Sequence, residues 1–337
     1  MYLRYIYDTI QGELKREIYP GGIILNKSVN ESAIKEKFSA IGRCLFYCFC
    51  YIALQGVFSL IIGAAAGAAY GGALYAQGSS VDEIGNRVRE LLLNHMSYIF
   101  LIVNPLVLIF FLTVFGRSRR TFLHKSDFSG LNAGVAALAV LAAVLFNIFM
   151  SVFLPFLNLP SNTSALLDSM QRNDVAVSFL ALAVITPVLE EIVFRGYIFN
   201  RLRRSFKSIA AVILIQALLF GAEHLDVEQS FYAFFLGVVM GVVYYKTGRL
   251  AYTIILHMAF NACSFALGAV PGLDNITDAG AYIISAASLA LFAVTFLALY
   301  RKMRAAGKRA PELVSEAVPA EAVLAQTAPE TNDGEIY

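Results

Sequence analysis

Charged residues are scarce in this chain of 337 residues: only 15% are Asp, Glu, Lys or Arg, whereas 58% are hydrophobic. Soluble globular proteins carry about 25% charged residues, so the composition excludes an ordinary soluble protein and predicts an all-α polytopic membrane protein in a lipid bilayer. The net charge is only +2, and no basic stripe is interleaved with aromatic residues. We therefore expect no nucleic-acid partner.

The sequence also lacks the motifs of several common protein classes. Its four cysteines, at 44, 48, 50 and 263, form no CxxC pair and have no histidine at zinc-site spacing. We interpret them as buried thiols in helices, with lipidation of Cys44 as the alternative. The first forty residues are polar and mixed in charge, so we expect no signal peptide. We find no internal repeat and no second domain.

Long apolar runs follow one another along the chain. A helix needs about 20 residues to cross a bilayer, and most of the runs reach that length, although two are short. The first run is rich in Gly and Ala between Gly63 and Gly72, where it would break or pack closely against a neighbour. We predict eight transmembrane helices, at about 44–75, 96–116, 130–157, 176–199, 209–222, 230–246, 250–271 and 279–300.

The lysine and arginine counts alternate along the predicted loops. Segments on one side, beginning with the N-terminal arm, carry 7, 4, 4, 2 and 5, and segments on the other side carry 2, 1, 0 and 0. Because positive loops favour the cytosol, both termini are predicted to be cytosolic. We expect a cytosolic arm at 1–43 with a short helix at 33–38, a membrane domain at 44–300, and a disordered cytosolic tail at 301–337.

The fourth predicted helix contains Glu190, Glu191 and Arg195 inside an apolar run. A charge at a helix centre costs about 2.5–3.5 kcal/mol on insertion scales, so such residues indicate a functional site by default. Glu191 and Arg195 are spaced i,i+4 and can form an ion pair. Glu190 points about 100° away and would face a cavity, and Pro187 should kink the helix one turn earlier. The alternative is that all three residues only hold helices together.

Two of the four histidines lie in neighbouring apolar segments. His224 ends the fifth run, and His257 and Asn261 lie one turn apart in the seventh. A carboxylate in a low-dielectric cavity holds its proton more tightly, which suits Glu190 as a general base. His224 could share a water with it, by hydrogen bonding or through a metal, and the other two side chains could stabilise an oxyanion. No Ser or Cys is obviously placed as a nucleophile, and HExxH is absent, so the pattern indicates hydrolysis by water.

The depths of these residues are not equal. Counted from the cytosolic face at about 1.5 Å per residue, Glu190 would lie about 15 Å deep, His257 about 12 Å and His224 about 24 Å. They meet only if the fifth helix is strongly tilted or begins well outside the membrane. The polar segment 223–229 favours an irregular site around a hydrated cavity. Glu223 is either a loop residue in water or an additional acid of the site.

The ordered motifs Glu-Glu-x-x-x-Arg, Phe-x-x-x-His and His-x-x-x-Asn, from Glu190 to Asn261, resemble the CAAX protease and bacteriocin-processing family of intramembrane proteases. The eukaryotic CAAX prenyl endopeptidase is related to that family. The resemblance implies a protease core at about 176–271 with a cavity that opens toward the cytosol. It implies that Glu190 is the base that activates water and that His224 is its partner.

The resemblance also implies supporting roles for Glu191 and Arg195, and an oxyanion-stabilising role for His257 and Asn261. The family has been described both as metal-dependent and as metal-free glutamate proteases, and the sequence leaves both open. The presence of only two candidate histidines favours a metal-free water. The alternative is a divalent metal such as zinc, held by Glu190, His224 and His257.

The implied function is an endopeptidase that cuts a membrane-associated peptide or protein, in a multi-pass protein of a bacterial cell membrane. The substrate would be a leader peptide, a signalling peptide or a membrane-protein segment in a prokaryote, and a prenylated C-terminus in a eukaryote. One alternative is a non-catalytic membrane immunity or scaffold protein. Another is a proton-coupled transporter that uses Glu190 and His257, which the absence of two related halves disfavours.

Overall fold

The computed structural model describes residues 27–115, 130–162, 170, 174–270 and 276–305. Every regular element in these residues is helical, which confirms the predicted all-α fold. The helices of the described ranges are α1 Lys27–Ala76, α2 Val81–Asn94, α3 Met96–Val114, α4 Ala133–Phe153, α5 Val175–Ser205, α6 Ile209–Ala222, α7 Val227–Thr247, α8 Leu250–Gly268 and α9 Asp278–Ala305.

Seven of these helices, all except α2 and α6, are long and apolar enough to cross a membrane. Helix α6 has 14 residues and is about 21 Å long, shorter than a hydrocarbon core of about 30 Å. The prediction of eight spanning helices is therefore wrong for the fifth apolar run, which is helical but does not reach spanning length. The other short run is longer than predicted, because α7 has 21 residues.

Helix α1 begins at Lys27, inside the predicted N-terminal arm, and continues without a break to Ala76. Its 50 residues give it a length of about 75 Å. The predicted short helix at 33–38 is therefore part of α1. Cys44 and Cys48 on this helix are buried, as predicted, whereas Cys50 and Cys263 are partly exposed. The first 26 residues and the predicted tail beyond 305 lie outside the described residues.

The Gly-rich part of α1 packs against α2, which the sequence analysis interpreted as a loop. Ser80 caps the start of α2 by accepting a hydrogen bond from a backbone N–H. A Cβ atom added at Gly67 would lie 3.1 Å from the side chain of Val88, and one at Gly71 would lie 3.2 Å from Ile84. These glycines therefore allow close helix packing, which is one of the two outcomes expected for this stretch.

Of the seven spanning helices, α5 is the most enclosed, because 56% of its most apolar stretch of 18 residues is buried. It widens into π-helical turns at Phe179–Ile185 and again at Ile192–Phe199. The N–H of Thr186 bonds to the carbonyl five residues earlier, just before Pro187. Turns of this kind occur frequently at functional sites. They flank the α-helical segment Thr186–Glu191, which carries both acidic residues of the first motif.

Candidate active site

Glu191 and Arg195 form the ion pair that their spacing predicts. Glu191 Oε1 lies 2.7 Å from Arg195 Nη1, and neither side chain is exposed. Arg195 also donates through Nη2 to the carbonyl of Gly237 on α7, at 3.2 Å. Its guanidinium lies 4.7 Å from the ring centre of Phe220 on α6, within cation–π range. The pair therefore joins α5 to α6 and α7 at the centre of the protein.

His257 lies between the two adjacent glutamates. Its Nδ1 is 3.1 Å from Glu191 Oε1, and its Nε2 is 3.5 Å from Glu190 Oε2. Asn261, one turn further along α8, donates through Nδ2 to the carbonyl of Leu182 on α5, at 2.9 Å. The structure thus brings His257 into contact with both acids of the first motif, and it attaches Asn261 to the backbone of the same helix.

Glu190, Glu223 and His224 form one cluster, and each offers a ligand atom within 4.8 Å of the others. Glu190 and His224 are therefore close enough to contact one water, in spite of their unequal predicted depths. Glu223 is only 9% exposed, so it belongs to the cluster and is not a loop residue in water. Of the two alternatives that the sequence left open for Glu223, its burial excludes the exposed loop residue.

The side chain of His224 contacts the backbone of its own helix, α6. Its Nδ1 lies 2.9 Å from the backbone carbonyl of Phe220, one turn earlier. A carbonyl can only accept, so Nδ1 carries the hydrogen in this contact. In a neutral ring the other nitrogen, Nε2, is then an acceptor. Its lone pair is available for a water or a cation.

The turn after His224 is held by Asp226 and by an unusual backbone conformation. Leu225 has φ of 55°, in the left-handed region that costs a bulky residue free energy. Asp226 caps α7 by accepting from the N–H of Gln229 at 2.9 Å. Its other oxygen accepts from Ser161 Oγ at 2.9 Å and from the N–H of Asn162 at 2.8 Å. These contacts fix the backbone that carries Glu223 and His224.

Tyr51 on α1 is a member of the site that the sequence analysis missed. Its Oη lies 3.3 Å from Glu190 Oε1, and its side chain is 2% exposed. Residues 139 positions apart on two apolar helices give no local signal of such a contact. A weaker signal was present, because Gln55 and Asn104 are polar residues inside apolar helices and both join the same network.

The cluster also fits a divalent cation. Two carboxylates and an imidazole are donors that zinc and similar ions accept. Their ligand atoms all lie within 4.8 Å of one another. These three residues differ from the predicted metal ligands Glu190, His224 and His257, because Glu223 replaces His257.

The segment that carries these residues is similar to known proteins. Residues 172–263 match the sequence model of the family described as Type II CAAX prenyl endopeptidase Rce1-like. The chain is 31% identical over 100 residues to YdiL of Bacillus subtilis (strain 168), a candidate membrane peptidase. It is 34% identical over 105 residues to the membrane-embedded CAAX protease MroQ of Staphylococcus aureus (strain USA300). No solved structure matches the chain significantly.

Both alignments cover only part of each protein. They span 30% of this chain, and 40% of YdiL and 42% of MroQ. The family match nevertheless includes all three motifs, from Glu190 to Asn261, and it confirms the resemblance stated from those motifs. The chain is therefore a multi-pass membrane protein in which residues 172–263 match the Rce1-like family model.

Proposed function

We propose that this protein is an intramembrane endopeptidase that hydrolyses a peptide bond in a membrane-associated peptide or protein. The main support is the position of the Glu190 carboxylate and the His224 imidazole, which offer ligand atoms within 4.8 Å of each other. A water at ordinary hydrogen-bond distances of about 2.8 Å can contact both groups. The site lies inside the segment that matches the Rce1-like family.

In the first step, Glu190 takes a proton from this water while the water oxygen attacks the carbonyl carbon of the peptide bond. His224 accepts a hydrogen bond from the other O–H of the water through Nε2, because Nδ1 donates to the Phe220 carbonyl. The two residues thereby fix both the position and the orientation of the nucleophile, which is an entropic contribution to the rate.

The negative charge then develops on the former carbonyl oxygen, where His257 and Asn261 would donate hydrogen bonds. Asn261 uses one amide hydrogen on the Leu182 carbonyl, and its second hydrogen is available for the oxyanion. His257 directs Nδ1 to Glu191, so it donates through Nε2 only when both ring nitrogens carry a proton.

In the last step, Glu190 transfers its proton to the nitrogen of the leaving amine, and the carbon–nitrogen bond breaks. The products are a new amine terminus and a new carboxyl terminus, which releases the remaining proton of the water to the amine or to solvent, and Glu190 returns to its ionised form. Glu191 and Arg195 take no part in the proton transfers. They hold α5 against α6 and α7 and supply the partner of His257.

A divalent ion such as zinc would be held by Glu190, Glu223 and His224. When bound, it would supply Lewis-acid activation of the attacking water. The steps above use only the side chains of this chain. The substrate we propose is a leader peptide, a signalling peptide, a membrane-protein segment or a prenylated C-terminus. The last of these accords with the name of the matched family.

A comparison of protein termini in cells tests the proposal. Cells that carry the wild-type protein should contain termini that are absent with Glu190→Gln and also absent with His224→Ala. Glu83→Gln, on the exposed surface of α2, is the matched control and should leave those termini unchanged. Identical termini in all strains would favour an immunity or scaffold protein, and a loss of folded protein in both site variants would favour a packing role.

A further inference from the structure

Glu190 contacts a hydrogen-bond donor that lies outside the segment that matches the Rce1-like family. The donor is Tyr51 on α1, whose Oη is 3.3 Å from Glu190 Oε1. The tyrosine and glutamate side chains are only 2% and 6% exposed, so water does not compete freely for this contact. The family match begins at residue 172, and Tyr51 therefore belongs to a part of the chain that the match does not include.

The hydrogen bonds around Tyr51 have a defined direction. Gln55 donates through Nε2 both to Tyr51 Oη at 3.1 Å and to Asn104 Oδ1 at 2.9 Å. Asn104 donates through Nδ2 to Thr186 Oγ1 at 2.6 Å, and that hydroxyl donates to the Ala181 carbonyl at 2.8 Å. Gln55 thus donates to the Tyr51 oxygen and does not accept from it. The hydroxyl hydrogen of Tyr51 is therefore available to donate to Glu190.

The opposite orientation of the two amides is less favourable. It would turn the Tyr51 hydroxyl hydrogen toward the oxygen of Gln55 and direct the phenolic lone pairs at Glu190 Oε1, only 3.3 Å away. Two oxygen atoms at that distance without a hydrogen between them repel one another when the carboxylate is ionised. The observed network is therefore the arrangement that suits a charged Glu190.

We infer that Tyr51 is a positioning residue for Glu190, and that Gln55 directs its hydroxyl. The inference rests on the proposed function. A hydrogen bond at Oε1 limits rotation of the carboxylate and fixes the direction of Oε2, the oxygen that lies 3.5 Å from His257 Nε2. A base that is already oriented loses less entropy in the transition state. Helix α1 thus completes the proposed active site.

The variant Tyr51→Phe removes only the hydroxyl and keeps the ring, whose centre lies 6.2 Å from that of Phe194. The substrate for the assay is a synthetic peptide that spans a cleavage site dependent on Glu190, added to the purified full chain in detergent. Loss of a hydrogen bond that orients a site residue typically reduces activity about 10–100-fold. We expect kcat to fall by that factor, with KM and the thermal unfolding temperature unchanged.

Tyr47→Phe is the matched control, because it makes the same change one turn earlier on α1. The Tyr47 ring packs against Phe115 and Tyr197, away from the site. Its kcat should stay at the wild-type value. Equal losses of kcat in both tyrosine variants would contradict a specific role for Tyr51.

A double-mutant cycle separates positioning from packing. If Gln55 acts through Tyr51, then Gln55→Leu lowers kcat, and adding it to Tyr51→Phe causes no further loss. A purely structural role would instead give additive losses together with a lower unfolding temperature in each variant. That second result would overturn the inference.

Glu190→Gln distinguishes failure of the inference from failure of the proposed function. If Glu190→Gln is inactive and Tyr51→Phe keeps its wild-type kcat, the positioning role is wrong and the endopeptidase proposal stands. If Glu190→Gln cleaves at the wild-type rate, or if no terminus in cells depends on Glu190, the proposed function is wrong and the inference fails with it.

Discussion

Glu191 and Arg195 pair at 2.7 Å with no exposure of either side chain, so neither charge can turn to water when the other is removed. Glu191→Ala should therefore lower the free energy of unfolding by about 3–5 kcal/mol, the usual cost of breaking a buried ion pair. Unfolding by denaturant in detergent micelles measures this change.

Glu83→Ala provides the comparison, because Glu83 pairs with Arg87 at 2.8 Å on an exposed part of α2, with the side chains 45% and 51% exposed. Exposed pairs contribute about 0–1 kcal/mol. Similar small losses in both variants would show that Glu191 is not a structural partner of Arg195.

Gly237 allows a close contact between α7 and α6. An added Cβ would lie 3.0 Å from the Cα of Ala217 and 3.3 Å from Phe220 Cδ1. Gly237→Ala should thus cost about 1–3 kcal/mol through overpacking and lower the thermal unfolding temperature. Gly56→Ala on α1 meets no atom within 4 Å and should be neutral or slightly stabilising, since alanine favours a helix. The prediction fails if the two variants unfold at the same temperature.

The backbone of Leu225 is strained, since its φ is 55°. Its side chain contributes little packing, because it is 67% exposed. Leu225→Gly should leave stability unchanged or raise it by about 1 kcal/mol, since glycine adopts this conformation without strain. Leu218→Gly, at an equally exposed helical position of α6, should lower stability by about 1 kcal/mol. A clear loss of stability in Leu225→Gly would refute the assignment of strain to this turn.

The motifs predicted the local geometry of the site better than its surroundings. The i,i+4 spacing was sufficient to predict the pair of Glu191 and Arg195, because that contact lies within one helix. The meeting of Glu190 and His224 was expected from their chemistry and from the family resemblance, because positions along upright helices gave the two residues unequal depths. The orientation of the helices and the cytosolic position of both termini stay predictions, since they rest on the loop charges alone.

The features that were missed depend on contacts between distant parts of the chain. The contact of Tyr51 with Glu190 depends on how α1 packs against α5, and its trace in the sequence was the polar residues Gln55 and Asn104 inside apolar runs. Glu223 lies two residues before a left-handed backbone conformation at Leu225, which a leucine gives no reason to expect. Single-sequence patterns do not encode either relationship.

Glu223 tests whether a cation takes part in the reaction. The proposed steps need only Glu190 and His224 at the water, so Glu223→Gln should keep cleavage within about tenfold of wild type, and a chelator should not abolish it. The measurements are kcat with and without chelator, together with metal analysis of the purified protein. Parallel loss of cleavage and of bound zinc in Glu223→Gln would instead make the ion part of the mechanism.

The most direct test of the account is the turnover of purified Glu190→Gln on a peptide that the wild-type protein cleaves. The change removes the proton acceptor and keeps the shape of the side chain. We predict that kcat falls by about 10²–10⁴-fold, the usual contribution of a general base, while the unfolding temperature stays near that of the wild type. Cleavage by Glu190→Gln at more than a tenth of the wild-type rate would contradict the account.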